Sequence, residues 1–154
     1  MCYRCDYEGL LKERGVSATA HRLHVLEIVG NSPCPLSADE IHETMSRSED
    51  VNRVTIYRIL DLLTERKLVE RLSSGERSFR YGLAPNRNHP RHAHFYCTEC
   101  GNIECLSPGA LHLSMDSLGR TFPGIIKRAE VRLDGICRNC LKLKKTMSPT
   151  SSGE

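Results

Sequence analysis

Apolar positions along this chain change period twice, separating a helical half, a hairpin and a shorter mixed segment. Over residues 20–29, Leu23, Leu26 and Val29, with Val25 and Ile28, fall at helical spacing and predict an amphipathic helix. Asn31-Ser32-Pro33-Cys34-Pro35 ends it, because two prolines fix φ and deny donors. Ser37 then stands where an N-cap belongs, and Glu40 completes a capping box. The helix that follows turns Ile41 and Met45 inward. After the polar loop Arg47-Ser48-Glu49-Asp50, a third helix is predicted over residues 52–66. Its apolar stripe is Ile56, Ile59, Leu60 and Leu63, with Leu62 alongside.

Beyond Lys67 the period shortens. Leu68, Val69 and Leu72 precede a turn at Ser73-Ser74-Gly75-Glu76, after which Phe79, Tyr81 and Leu83 alternate with polar or small residues. This predicts a β-hairpin with a four-residue loop. Three helices and a hairpin over residues 10–83 make a winged helix-turn-helix, so residues 1–83 are read as one domain. Residues 84–91 carry two prolines and two asparagines without an apolar period and read as a hinge. In the remainder, strands are predicted over residues 93–96 and 103–106, and Leu111, Met115 and Leu118 mark a helix. A long strand is expected to hold Ile125, Ile126, Val131 and Leu133, giving a small α/β domain over residues 92–141. Residues 142–154, ending in Ser, Pro, Thr and Gly, are expected to be disordered. The fold class is α+β.

Composition sharpens this picture. A chain of 154 residues holds one ordinary domain or two small ones. With few aromatics and no Trp, a small second domain has a thin core and gains from a metal staple. No apolar run is long enough for a membrane span, and the first residues lack the apolar stretch of a signal peptide. A cytoplasmic location is expected. Disulfides are disfavoured there, so eight cysteines read as metal ligands or redox thiols. The net charge of +3 is too small to name a partner. No Ser-His-Asp pattern, phosphate loop or His-Glu-x-x-His motif is present, and an enzyme is not expected.

Two Cys-x-x-Cys pairs carry the strongest chemical signal: Cys97 with Cys100, and Cys137 with Cys140. Each puts two thiolates on one tight turn, and two such turns can close a tetrahedral shell around a structural zinc. Thioredoxin-like redox chemistry is the alternative for such pairs. Cys2 and Cys5 form a further pair at the start, with no partner pair nearby. His89, His92 and His94 crowd the approach to Cys97 and suggest a second metal. On the third helix, the inward stripe leaves Arg53, Thr55, Tyr57 and Arg58 near the opposite face. Arginine can pair with guanine or grip phosphate, and Thr and Tyr supply hydroxyls, as a recognition helix requires. Lys67, Arg71, Arg77 and Arg80 add positive charge along the hairpin. An ordinary solvated helix face is the plainer account of the same residues. His21, His24 and His42 read as exposed helix positions.

Val54-Thr55-Ile56-Tyr57-Arg58-Ile59-Leu60, followed by Leu68-Val69, resembles the recognition helix of the ferric uptake regulator family. The stretch from His92 to Gly101 resembles that family's histidine-rich strand and first zinc knuckle, and Cys137 and Cys140 match its second. The resemblance spans residues 8–141. It implies a homodimeric, metal-dependent regulator that binds operator DNA, with the four cysteines as its structural site. The regulatory site it implies uses His92 and His94, a carboxylate from the hairpin or from just after the knuckle, and a linker histidine. This chain has Tyr81-Gly82, Cys105 and Cys34 at those last positions. A second family site is broken at Arg91, Ala93 and Ala129, leaving only His112. The retained set is His92, His94 and Cys105, with His89 or Cys34 as a fourth ligand. Two imidazoles and a thiolate suit Zn²⁺ better than Fe²⁺ or Mn²⁺. The expectation is a zinc-responsive repressor. The alternatives are an iron- or peroxide-responsive regulator, or a thiol switch at Cys2, Cys5, Cys34 or Cys105 with only structural zinc.

Overall fold

The computed structural model describes residues 5–74, 78–112, 114–127, 129 and 131–147. Two compact units divide the chain, Met1–His92 and Ala93–Glu154.

The first unit places four helices before a hairpin: α1 (Tyr7–Glu13), α2 (Ala20–Asn31), α3 (Ala38–Ser46), α4 (Arg53–Glu65), β1 (Val69–Ser73) and β2 (Phe79–Leu83). Helix α1 was not foreseen by periodicity. Asp6 caps it by accepting from the Gly9 amide, and Leu11 is wholly buried. The Tyr7 ring lies against α2 where only Gly30 leaves room, and its hydroxyl donates to Asn31 Oδ1 at 3.0 Å. Helix α2 begins at a Thr19 cap and runs two residues past the expected end, to Asn31. The Ser37–Glu40 capping box forms as the sequence predicts. Helix α4 starts from an Asn52 cap and buries Ile56, Ile59, Leu60 and Leu63, the expected stripe. A fully buried leucine contributes about 1.5–3 kcal/mol. That stripe, with Leu26, Ile41 and Met45, forms the centre of the core.

Strands β1 and β2 are antiparallel, with Val69 opposite Leu83 and Ser73 opposite Phe79. Ser73 thus belongs to β1, and residues 74–78 connect the strands in place of the expected four-residue loop. Gly75, Glu76 and Arg77 lie outside the described residues. Leu36, between two polar turns, pairs with Tyr81 through N–O bonds of 3.0 and 2.7 Å and ties the hairpin to the entry of α3. Arg80 reinforces this tie. It donates to Pro35 O at 3.3 Å and to Glu40 Oε2 at 2.9 Å, so it is not a free cation of the hairpin. Burial pushes the Glu40 carboxyl up, but the Ser37 amide and the Arg80 guanidinium outweigh it and hold it below its usual value.

The second unit holds a three-stranded sheet in the order β4-β3-β5. Strand β3 (His94–Cys97) is antiparallel to β4 (Ile103–Cys105) and parallel to β5 (Arg132–Gly135). Helices α5 (Met115–Thr121) and α6 (Arg138–Met147) complete it. The long strand expected from Ile125 is shorter than predicted. Ile125 and Ile126 are exposed beside Pro123-Gly124, and pairing begins only at Arg132. The expected disorder from residue 142 is also corrected, because α6 continues to Met147, while residues 148–154 lie outside the described set. Among the described residues, the buried apolar side chains of this unit are Tyr96, Cys97, Ile103 and Cys137.

Two helices of the first unit end in the same motif. Gly15 closes α1 at φ +68°, with Val16 N bonded to Leu11 O at 2.9 Å. Lys67 closes α4 at φ +56°, with Leu68 N bonded to Leu63 O at 2.9 Å. Left-handed backbone strains a residue with a Cβ and suits glycine. Lys67→Gly is therefore expected to raise stability by about 0.5–1 kcal/mol, read as a higher urea midpoint with an unchanged slope.

Candidate metal centres and nucleic-acid interface

Cys97 ends β3, and the chain reverses through Gly101 at φ +70° into β4. Gly101 N bonds back to Cys97 O at 2.9 Å, and Cys97 N bonds to Asn102 O at 2.9 Å, which closes the first knuckle. Cys137 lies between β5 and α6, and Cys140 is in the first turn of α6. All four Sγ atoms lie within 4.8 Å of one another. Cys97 Sγ is 3.9 Å from Cys140 Sγ, and Cys100 Sγ is 3.8 Å from Cys137 Sγ. A tetrahedral shell with Zn–S bonds of about 2.3 Å has S–S edges of about 3.8 Å, whereas a disulfide brings sulfurs to about 2.05 Å. The four-cysteine cluster is thus compatible with a structural zinc. The backbone N–H groups of Cys100 and then Cys137 pull the Cys97 thiol down to about 6 against burial. Its neighbour Cys137, followed by burial, pushes Cys140 up to about 12. Loading a metal here must release thiol protons, so acid weakens it.

The second cluster follows from strand register. His94 is the cross-strand partner of Cys105, and His92 precedes His94 by two, the spacing that returns a side chain to the same face. Their donor atoms all lie within 4.8 Å of one another. His94 is buried, His92 is half-buried and Cys105 is exposed. His89 is not in this set. Its ring meets His92 edge-on, with centroids 5.0 Å apart, and burial, then His92, holds its imidazole below the usual value. Cys34, a free half-buried thiol bracketed by Ser32, and the exposed His112 also lie outside both sets. Cys2 lies outside the described residues.

On α4, Val54, Tyr57, Arg58 and Asp61 form one exposed stripe at helical spacing. Tyr57 is 48% and Val54 58% exposed, unusual for an apolar residue at the start of a packed helix. Val54 was not singled out from the sequence; its place opposite the buried stripe was the available signal. Arg53 and Thr55 are engaged within the protein. Arg53 pairs with Asp39 at 2.8 Å, and the Thr55 hydroxyl donates to Asn52 Oδ1 at 3.0 Å. Arg71 stacks over the Phe79 ring, 4.6 Å from its centroid. His21, His24 and His42, expected as exposed helix positions, are half-buried and contact other elements.

Comparison with known proteins finds that residues 13–112 match the ferric uptake regulator family. The ferric uptake regulation protein of Bacillus subtilis (strain 168) is 29% identical over 114 residues, covering 73% of this chain and 76% of that protein. A structure of the Helicobacter pylori ferric uptake regulator, described as having three functional metal binding sites, matches with a TM-score of 0.71 at 19% identity. That match covers 89% of this chain and 95% of the other. A zinc uptake regulator complexed with zinc and DNA matches with a TM-score of 0.58 at 22% identity, covering 90% of this chain and 92% of the other. At these identities the structural likeness concerns the fold.

The four-cysteine geometry gives a direct test. Cys97→Ser is expected to lose one bound zinc per chain by atomic emission and to lower the thermal stability of the protein, because the unit it staples has so few buried apolar side chains.

Proposed function

The chain belongs to the ferric uptake regulator family, and from that premise we propose that it is a cytoplasmic, zinc-responsive transcriptional repressor that binds operator DNA as a homodimer. The observation that carries the zinc reading is the register that sets Cys105 opposite His94 with His92 in reach. A donor set of two imidazoles and a thiolate favours Zn²⁺, where carboxylate-rich sites suit harder ions. A bound ion would supply a cation that links His94 on β3, and His92 just before it, to Cys105 on β4. The second cluster thus serves as the regulatory site and the four cysteines as the structural one. For metal to control DNA binding, the DNA-competent state must bind it more tightly than the alternative, since equal affinity shifts nothing.

In this reading residues 1–83 form a winged helix-turn-helix, with α4 as the recognition helix and β1–β2 as the wing. Residues 84–91 are the hinge and residues 92–141 the dimerisation domain. Val54, Tyr57 and Arg58 face the major groove, Arg53 and Thr55 flank them, and Arg71 lies on the wing. The exposed Phe122, Ile125 and Leu143 support a second chain covering the C-terminal unit. An iron-responsive regulator is the second reading, favoured by the 29% identity to an iron-regulation protein.

Two measurements test the proposal. Cys105→Ser is expected to raise the zinc concentration needed for operator binding by about tenfold while the structural ion stays in place; an unchanged zinc response assigns the cysteine to packing. Arg58→Ala is expected to weaken operator binding by about 1–3 kcal/mol and relax the preference at one position of each half-site. A loss uniform over all sequences marks a phosphate contact instead, and no loss removes α4 from the interface.

A further inference from the structure

Three histidines of the first unit converge on the turn between α3 and α4. His21 and His24 share one face of α2. His24 Nδ1 lies 2.8 Å from Glu49 Oε1, and His21 Nε2 lies 3.1 Å from Glu49 Oε2. The Glu49 amide in turn bonds to Met45 O at 2.9 Å, at the end of α3. From α3, His42 Nε2 donates to Val51 O at 2.9 Å, directly before the Asn52 cap of α4.

The burial pattern gives these contacts weight. Between the buried Met45 and Val51, the residues Ser46, Arg47, Ser48 and Asp50 are all exposed, and Glu49 alone is half-buried. No apolar side chain anchors the turn there, so polar contacts must fix its position. An exposed ion pair contributes little. Here Glu49 Oε2 is shielded from solvent, and the carboxylate is held in place by His24 Nδ1 against Oε1 and His21 Nε2 beside Oε2.

We propose that Glu49, clasped by His21 and His24, is a positioning residue for DNA recognition: it fixes the turn from which α4 presents Val54, Tyr57 and Arg58. The inference rests on reading α4 as the recognition helix. A small tilt at the start of α4 displaces side chains that must meet base edges, while flexible phosphate contacts tolerate it. The clasp therefore serves specificity, and losing it costs operator binding but not general affinity for DNA.

The test uses the full-length, zinc-loaded protein and duplexes enriched from a random library by the wild type. Affinities for the enriched consensus and for a scrambled duplex are compared for wild type, His24→Ala, His24→Asn and Glu49→Ala, with folding at the assay temperature checked by circular dichroism. His24→Ala is expected to weaken consensus binding by about tenfold and scrambled binding by no more than about twofold. His24→Asn carries an amide donor at the position of Nδ1 and is expected to restore most of the loss. Glu49→Ala should match His24→Ala; should it fail to fold, the His24 pair decides alone. Unchanged consensus affinity in His24→Ala, equal losses on both duplexes, or no rescue by Asn would each overturn the positioning role. A library that yields no consensus overturns the recognition-helix reading and this inference with it.

Discussion

Four sulfur atoms within 4.8 Å of one another repel as thiolates, and only a cation among them lets all four ionise together. Much of the C-terminal unit depends on resolving that repulsion. Among its described residues, two of the four buried apolar side chains are themselves cysteines of the shell. Tyr96 and Ile103 alone bury too little hydrocarbon to offset the chain entropy of three strands and two helices. The shell also joins segments remote in sequence, since it holds the end of β3 to the start of α6.

The same shell sets the register of the sheet. The first knuckle reverses the chain within five residues, from Cys97 to Gly101, and that tight return dictates which residue of β4 faces which residue of β3. A slip of one residue would turn Cys105 to the other face, away from His94. The four-cysteine cluster and the His92–His94–Cys105 cluster are therefore not independent. The first knuckle fixes a pairing, and the pairing brings His94 and Cys105 together.

What could be read from the sequence was what depends on neighbours in the chain. The α4 stripe, the Ser37–Glu40 box and the two knuckles all follow from spacings of a few residues. Helix α1 escaped notice because seven residues with Leu10 and Leu11 side by side carry no period. The Leu36–Tyr81 bridge was hidden by its flanking proline and by the distance between its partners in sequence. Ile125 and Ile126 misled because a strand needs a neighbour to pair with, and apolar character alone does not supply one. The histidines of the first unit were missed for a related reason. An imidazole's role is set by what it meets, and Glu49 lies 25 residues beyond His24. The convergence of His92, His94 and Cys105 was accessible, because a knuckle forces its flanking strands together.

The tie between the hairpin and the entry of α3 has an entropic consequence. Two backbone bonds from Leu36 to Tyr81, with the Arg80 guanidinium spanning Pro35 and Glu40, make the hairpin and the first turn of α3 a single rigid piece. A surface whose parts are ordered before encounter owes little conformational entropy on docking. A partner that docks on this piece meets β2 and the entry of α3 in one fixed arrangement rather than as two independently moving segments.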